Sequence, residues 1–181
     1  MLSWYVYSHL VIASANFWQY YVEYNGECVN KWKEVSLIVS SRHILPDILP
    51  QKTPGATIFT GDQSNATFLE EVIAKSGGKF DIIIDDGGHY MNQQMISLET
   101  LYKSILPGGI YFCEDLGTSY DGWYEGGEGK VTMMGMIKDL LDDLNYNTPG
   151  RPAPKYTFAK DIRSVECGEQ ICSFHKKREL Q

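Results

Sequence analysis

Phe80-Asp81-Ile82-Ile83-Ile84-Asp85-Asp86-Gly87-Gly88-His89 is the stretch on which the fold turns. Its first half is almost continuously apolar, the pattern of a strand covered on both faces in a sheet flanked by helices. It then breaks into acids, glycines and a histidine. A buried strand that ends this way carries polar chemistry to its C-terminal tip, where open α/β sheets bind ligands.

The pattern repeats on either side. Upstream, Ala56-Thr57-Ile58-Phe59-Thr60 predicts a strand stopped by Gly61-Asp62. A helix follows, with Ser64 or Asn65 as its cap, Phe68, Leu69, Val72 and Ile73 on one face, and Gly77-Gly78 as its stop. Downstream, Met91, Met95, Leu98, Tyr102 and Ile105 fall at helical spacing and Pro107-Gly108-Gly109 closes the helix. Ile110-Tyr111-Phe112-Cys113 is the next short apolar run, ending in Glu114-Asp115. Strand, helix, strand, helix, strand predicts right-handed crossovers and a parallel sheet whose strand C-termini share one edge.

Gly117 to Lys130 is a glycine- and aromatic-rich loop, and a third helix is predicted over Val131 to Asn145, with Met134, Ile137, Leu141 and Leu144 facing inward. Extended runs at Ile162 to Val165 and Ile171 to His175 flank Cys167-Gly168-Glu169-Gln170, a hairpin signal. The expected class is α/β: a Rossmann-like, doubly wound, mostly parallel sheet with a C-terminal antiparallel hairpin. Before residue 56 the reading is thinner. Val35 to Val39 is strand-like, Phe17 to Tyr24 is rich in β-favouring aromatics, and Pro46, Pro50 and Pro54 interrupt regular structure.

With 181 residues, 43% of them apolar and 22% charged, the chain has the makings of one globular domain. Sixteen basic against 23 acidic residues give a net charge of −7, which disfavours nucleic acid and anionic membrane surfaces as partners. The short basic run His175-Lys176-Lys177-Arg178 reads as a solvated end. Cys28, Cys113, Cys167 and Cys172 are too sparse for a disulfide scaffold and wrongly spaced for zinc, so a reducing, cytoplasmic setting is expected. Met1 to Val22 has no Asp, Glu, Lys or Arg, and Ala13-Ser14-Ala15 resembles a signal-peptidase site. Without a basic leader, and with Ser8 and His9 interrupting the apolar run, the segment reads as a buried aromatic-rich stretch.

The chemistry concentrates in Asp85, Asp86 and His89 after one strand and Glu114 and Asp115 after the next. Carboxylates brought together repel one another, and a hard divalent cation such as magnesium relieves that repulsion. His89 is suited to general-base work near neutrality. The plainer alternative is that these are ordinary solvated loop residues. Gly127-Glu128-Gly129-Lys130 departs from a phosphate loop, since Tyr124 stands where its first glycine belongs and Val131 follows the lysine; a flexible active-site loop fits better.

Taken together, Gly61-Asp62-Gln63-Ser64, Phe80 to His89, and Leu106-Pro107-Gly108-Gly109-Ile110-Tyr111-Phe112-Cys113-Glu114-Asp115-Leu116-Gly117-Thr118-Ser119-Tyr120 resemble class I S-adenosylmethionine-dependent O-methyltransferases of the macrocin and mycinamicin type. Rhamnosyl O-methyltransferases and cephalosporin hydroxylase-like proteins are related to that group. The resemblance implies a Mg2+ ion held by Asp86, Glu114 and Asp115, with His89 as the base on a substrate hydroxyl. It implies S-adenosylmethionine as donor, with Asp62 and Gln63 near its adenine and Asp85 on the cofactor side. The acid and glycine expected after the first strand have their nearest match in Glu23 and Gly26, within a shortened Val22-Glu23-Tyr24-Asn25-Gly26-Glu27-Cys28. Ser40-Ser41-Arg42 stands where an acid for the ribose is expected. Residues 1–55 are accordingly expected to form a divergent N-terminal segment, a degraded first βα unit, and residues 56–181 a methyltransferase-like core. The expected partner is a small-molecule hydroxyl acceptor, with no nucleic acid and no membrane, and the family suggests a homo-oligomer. Two other functions fit the same acids: a non-catalytic methyltransferase-like binding module that has lost its cofactor loop, and a metal-dependent hydrolase.

Overall fold

The computed structural model describes residues 9–14, 34–40 and 56–178. Seven strands form one sheet: β1 (His9–Ser14), β2 (Glu34–Ser40), β3 (Ala56–Gly61), β4 (Phe80–Asp86), β5 (Ile105–Cys113), β6 (Ile162–Cys167) and β7 (Cys172–Lys176). Their order across the sheet is β3-β2-β1-β4-β5-β7-β6. The pairs β2–β3 and β4–β5 are parallel, whereas β1 runs against both β2 and β4, and β7 against both β5 and β6. Only β1 and β7 oppose the common direction, so the described sheet is mixed, with two parallel and four antiparallel pairings, and closes with the expected hairpin.

Three helices pack on this sheet: α1 (Ala66–Lys75), α2 (Met91–Leu101) and α3 (Met133–Asp143). Asn65 caps α1 by accepting the Phe68 N–H, while Ser64 is spent on Asp62, whose Oδ1 accepts both its N–H (2.8 Å) and its hydroxyl (2.7 Å). Leu69 and Val72 bury the inner face of α1, and Leu98 and Leu101 that of α2. The core continues through Phe80 and through Ile83, Tyr111 and Phe174, which are in register on one face of β4, β5 and β7. Complete burial of each such side chain is worth about 1.5–3 kcal/mol.

Four sequence expectations need correction. The helix expected to reach Ile105 ends at Leu101 in a short 3-10 turn, Tyr102–Ser104, because Ile105 is taken by Phe80 across the sheet. Pro107, which cannot donate to a ladder, then sits in the register shift between Phe80 and Ile82 instead of closing a helix. In α3 the buried face is Met133, Met136, Ile137 and Leu140, while Leu141 is exposed, a rotation from the face expected. Cys167 and Cys172 form a disulfide across the β6–β7 hairpin. Lys176 is not a solvated end. Its ammonium donates to the Ile105 carbonyl at 2.8 Å, and partial burial lowers its pKa.

The segment Phe17 to Tyr24, and with it Glu23 and Gly26, lies outside the described residues. No described helix is long and apolar enough to cross a membrane.

Candidate active site

The site grows from the tip of β4. Asp85 is buried and accepts hydrogen bonds from the Gln63 amide (2.6 Å), the Tyr111 hydroxyl (2.6 Å) and the Gly87 N–H (3.2 Å). The other end of the Gln63 amide accepts the Gly88 N–H at 2.9 Å. A Cβ on Gly87 would overlap the Gln63 amide and one on Gly88 the Gln93 amide, so these two amides pack against the turn only where it is glycine. Burial pushes the Asp85 carboxyl up to about 6 against the lowering effect of its donors.

That turn sets His89 in a left-handed backbone conformation, φ 59°. Asp115, which follows β5, is left-handed as well, φ 54°. Such conformations persist in non-glycine residues only where the surroundings over-determine them. Potential ligand atoms of Asp86, His89 and Asp115 all lie within 4.8 Å of one another. His89 Nε2 is 3.2 Å from Asp115 Oδ2, an ion-pair distance without the alignment of a hydrogen bond. Neither ring nitrogen has a hydrogen-bond partner among the described residues, although the ring is 5% exposed.

The electrostatics are those of crowded acids. Asp86 is pushed up to about 7, first by burial and then by the charges of Glu114, Asp115 and Asp85. Burial and Asp115 also raise Glu114. Burial lowers the pKa of His89, which favours its neutral form, and Asp115 only partly offsets this.

Of the residues expected from the sequence, the structure brings Asp86, His89 and Asp115 into one cluster. Glu114 borders it as the leading charge on Asp86, although its carboxylate is not among the clustered atoms. Gln63 and Asp85 are redirected. Both are buried and bonded to each other, and so brace the β4 turn. Asp62 is exposed beside them. The connection containing Glu23 and Gly26 leaves the sheet at Ser14 and returns at Glu34, paired residues at the end of β1 remote from Asp86.

The sequence reading passed over several contributors. Tyr111 holds Asp85. Gln94 donates to the Glu114 carbonyl at 2.9 Å, and the Tyr124 ring lies 6.4 Å from that of His89. The available signal was the pair Gln93-Gln94 in the first turn of a helix that buries both amides.

The comparisons with known proteins bear directly on this edge. The chain is 42% identical over 99 residues to the 8-demethyl-8-(2-methoxy-alpha-L-rhamnosyl)-tetracenomycin-C 3'-O-methyltransferase of Streptomyces olivaceus, covering 52% of this chain and 25% of that enzyme. It is 37% identical over 94 residues to the demethylmacrocin O-methyltransferase of Streptomyces fradiae, covering 50% and 24%. Over about half of its length, this chain is similar to macrocin-type O-methyltransferases. Among solved structures, the MycE methyltransferase of the mycinamycin pathway, in complex with Mg, SAH and mycinamycin VI, superimposes with a TM-score of 0.62 at 29% identity. That match covers 68% of this chain and 32% of MycE, so the likeness to these O-methyltransferases spans only a quarter to a third of their length. No protein-family model matches the chain.

Proposed function

We propose that the chain supplies the catalytic edge of a magnesium-assisted O-methyltransferase, which moves the methyl group of S-adenosylmethionine to a hydroxyl of a small, sugar-bearing metabolite. The observation that carries this reading is the meeting of Asp86, His89 and Asp115 at one sheet edge, in a chain related to sugar O-methyltransferases.

The donor set suits a divalent cation, because Asp86 and Glu114 are both raised by neighbouring acids and gain from positive charge. Magnesium prefers oxygen to imidazole, which assigns Asp86, Glu114 and Asp115 as its ligands and leaves His89 free. Bound there, the ion supplies charge neutralisation and polarises an acceptor oxygen. His89 performs the chain's own step. Its buried, neutral ring has an uncommitted nitrogen that takes the proton of the acceptor hydroxyl as that oxygen attacks the donor methyl. Asp115, beside Nε2, then stabilises the resulting imidazolium. Gln63 and Asp85 hold the glycine turn that aims the ring.

Glu23, Gly26 and Asp62 are proposed as donor contacts, with Gln63 and Asp85 as the wall behind them. Trp123 and Tyr120, 78% and 67% exposed on the loop after Asp115, offer flat apolar faces to a glycoside. The proposed compartment is the cytoplasm, a reducing setting in which the Cys167–Cys172 bond would be open to reduction.

One observation favours a second reading, a non-catalytic methyltransferase-like module: Gln63 and Asp85 spend their hydrogen bonds on the protein itself. Calorimetric titration with S-adenosylmethionine, in Mg2+ and in chelator, separates the two. Micromolar binding, followed by Mg2+-dependent methyl transfer to a panel of deoxysugar glycosides, supports the enzyme. Absence of binding in both buffers supports the module.

A further inference from the structure

The β6–β7 turn reaches across to the site. Gln170, at its tip with φ 63°, accepts the Leu116 N–H on its main-chain carbonyl (3.0 Å) and the Gly117 N–H on its side-chain oxygen (2.7 Å). A Cβ on Gly117 would overlap that amide, so the contact requires glycine. Leu116 and Gly117 directly follow Asp115, whose carbonyl in turn accepts the Thr118 N–H (3.1 Å) and hydroxyl (2.7 Å). Four hydrogen bonds thus bracket a residue in a left-handed conformation. The turn that provides two of them is closed by the Cys167–Cys172 disulfide and by the Gly168 N–H on the Ile171 carbonyl (2.9 Å).

We propose that Gln170 is a positioning residue for Asp115, and that the Cys167–Cys172 bond makes its hold on the metal-binding edge dependent on redox state. The proposal rests on the reading of Asp115 as a cation ligand. The chemistry of release is thiol–disulfide exchange. Cys167 is exposed and Cys172 buried. A thiolate of an external dithiol attacks Cys167 Sγ, the bond to Cys172 breaks as a mixed disulfide forms, and the second thiol closes the reductant's own disulfide. Two electrons and two protons pass to the protein, leaving two thiols. The turn loses its covalent closure, and the Leu116 and Gly117 N–H groups lose their fixed acceptor.

The test uses the whole chain, with hydrogen exchange at the Leu116 and Gly117 amides and Mg2+ affinity by calorimetry as readouts. Gln170→Gly removes the side-chain acceptor while suiting the left-handed backbone. The expected result is faster exchange at Gly117 and Mg2+ affinity lower by about tenfold, the usual effect of losing a group that orients a ligand, with the thermal midpoint unchanged. Dithiothreitol should produce the same loss in the wild type and no further change in a Cys167→Ser/Cys172→Ser variant. Mg2+ affinity unaltered by both the substitution and the reductant would overturn the proposal while leaving the metal site standing. Protected amides in a wild type that binds no Mg2+ would overturn the metal reading and this proposal together.

Discussion

His89 and Asp115 come from loops after two adjacent parallel strands, share left-handed backbones, and bring Nε2 and Oδ2 to 3.2 Å without a hydrogen bond. The imidazole is therefore held close to a carboxylate with both of its buried nitrogens unbonded. His89→Ala should lower kcat by roughly 100-fold or more while changing S-adenosylmethionine affinity little. Steady-state kinetics with separate donor titration checks this, and an unchanged kcat would assign the base elsewhere.

Asp86 stands where function and stability conflict. Asp86→Asn should cut Mg2+-dependent turnover at least about 100-fold. It should also raise the melting temperature measured in chelator, because a repelling charge is gone. A melt in chelator at pH 8 that is no higher than wild type would contradict the crowding argument.

The pH dependence follows in sign. Asp85, Asp86 and Glu114 have raised pKa values, so between about pH 4 and 7 the folded protein binds protons more tightly than the unfolded chain, and metal-free stability falls as pH rises. The lowered pKa of His89 works the other way, its contribution being lost as pH falls below its ordinary range near 6.5. Three carboxyls outweigh one imidazole. Melts in chelator should decline from pH 5 to pH 8, and stabilisation by Mg2+ should grow over the same interval because its ligands must be deprotonated. Stabilisation by Mg2+ that does not vary with pH would remove the carboxylates as ligands.

Tyr111 donates to buried Asp85 at 2.6 Å. Tyr111→Phe should cost about 1–3 kcal/mol at pH 8, where the carboxylate is left short of a donor, and less at pH 5, where it is protonated. Urea denaturation at the two pH values checks the difference.

Trp123 is 78% exposed. Trp123→Ser should raise KM for a glycoside acceptor and leave both thermal stability and S-adenosylmethionine affinity unchanged. A shift in the melting temperature instead would make it a structural residue.

The strands and helices from Ala56 onward were legible because each carries one clear period and a strong stop, and the acids at the β4 and β5 tips followed from that alternation. What escaped had a different cause. Ile105 has helical spacing in the sequence, but its partner across the sheet, Phe80, is distant in the chain and overrides that spacing. The Gln63–Asp85 bond joins the loop after β3 to the end of β4, so neither residue alone signals that the two will satisfy each other. The disulfide was hidden because cysteine counting asks whether a scaffold exists, whereas here a single bond closes one turn. Of the cluster, Asp86, His89 and Asp115 were read from their places at strand ends, while the selection among the acids depended on backbone conformation that spacing alone does not encode.

Because β1 runs against its neighbours, His9 lies opposite Asp86 while Ser14 and Glu34 meet at the other end. The described sheet thus has two poles, and β1 ends and β2 begins at the pole away from Asp86. Ser14 and Glu34 sit about five residues, roughly 17 Å, along the strand from the position opposite Asp86. A label at either strand end would therefore report on the N-terminal stretch that carries the proposed donor contacts Glu23 and Gly26 separately from events at Asp86.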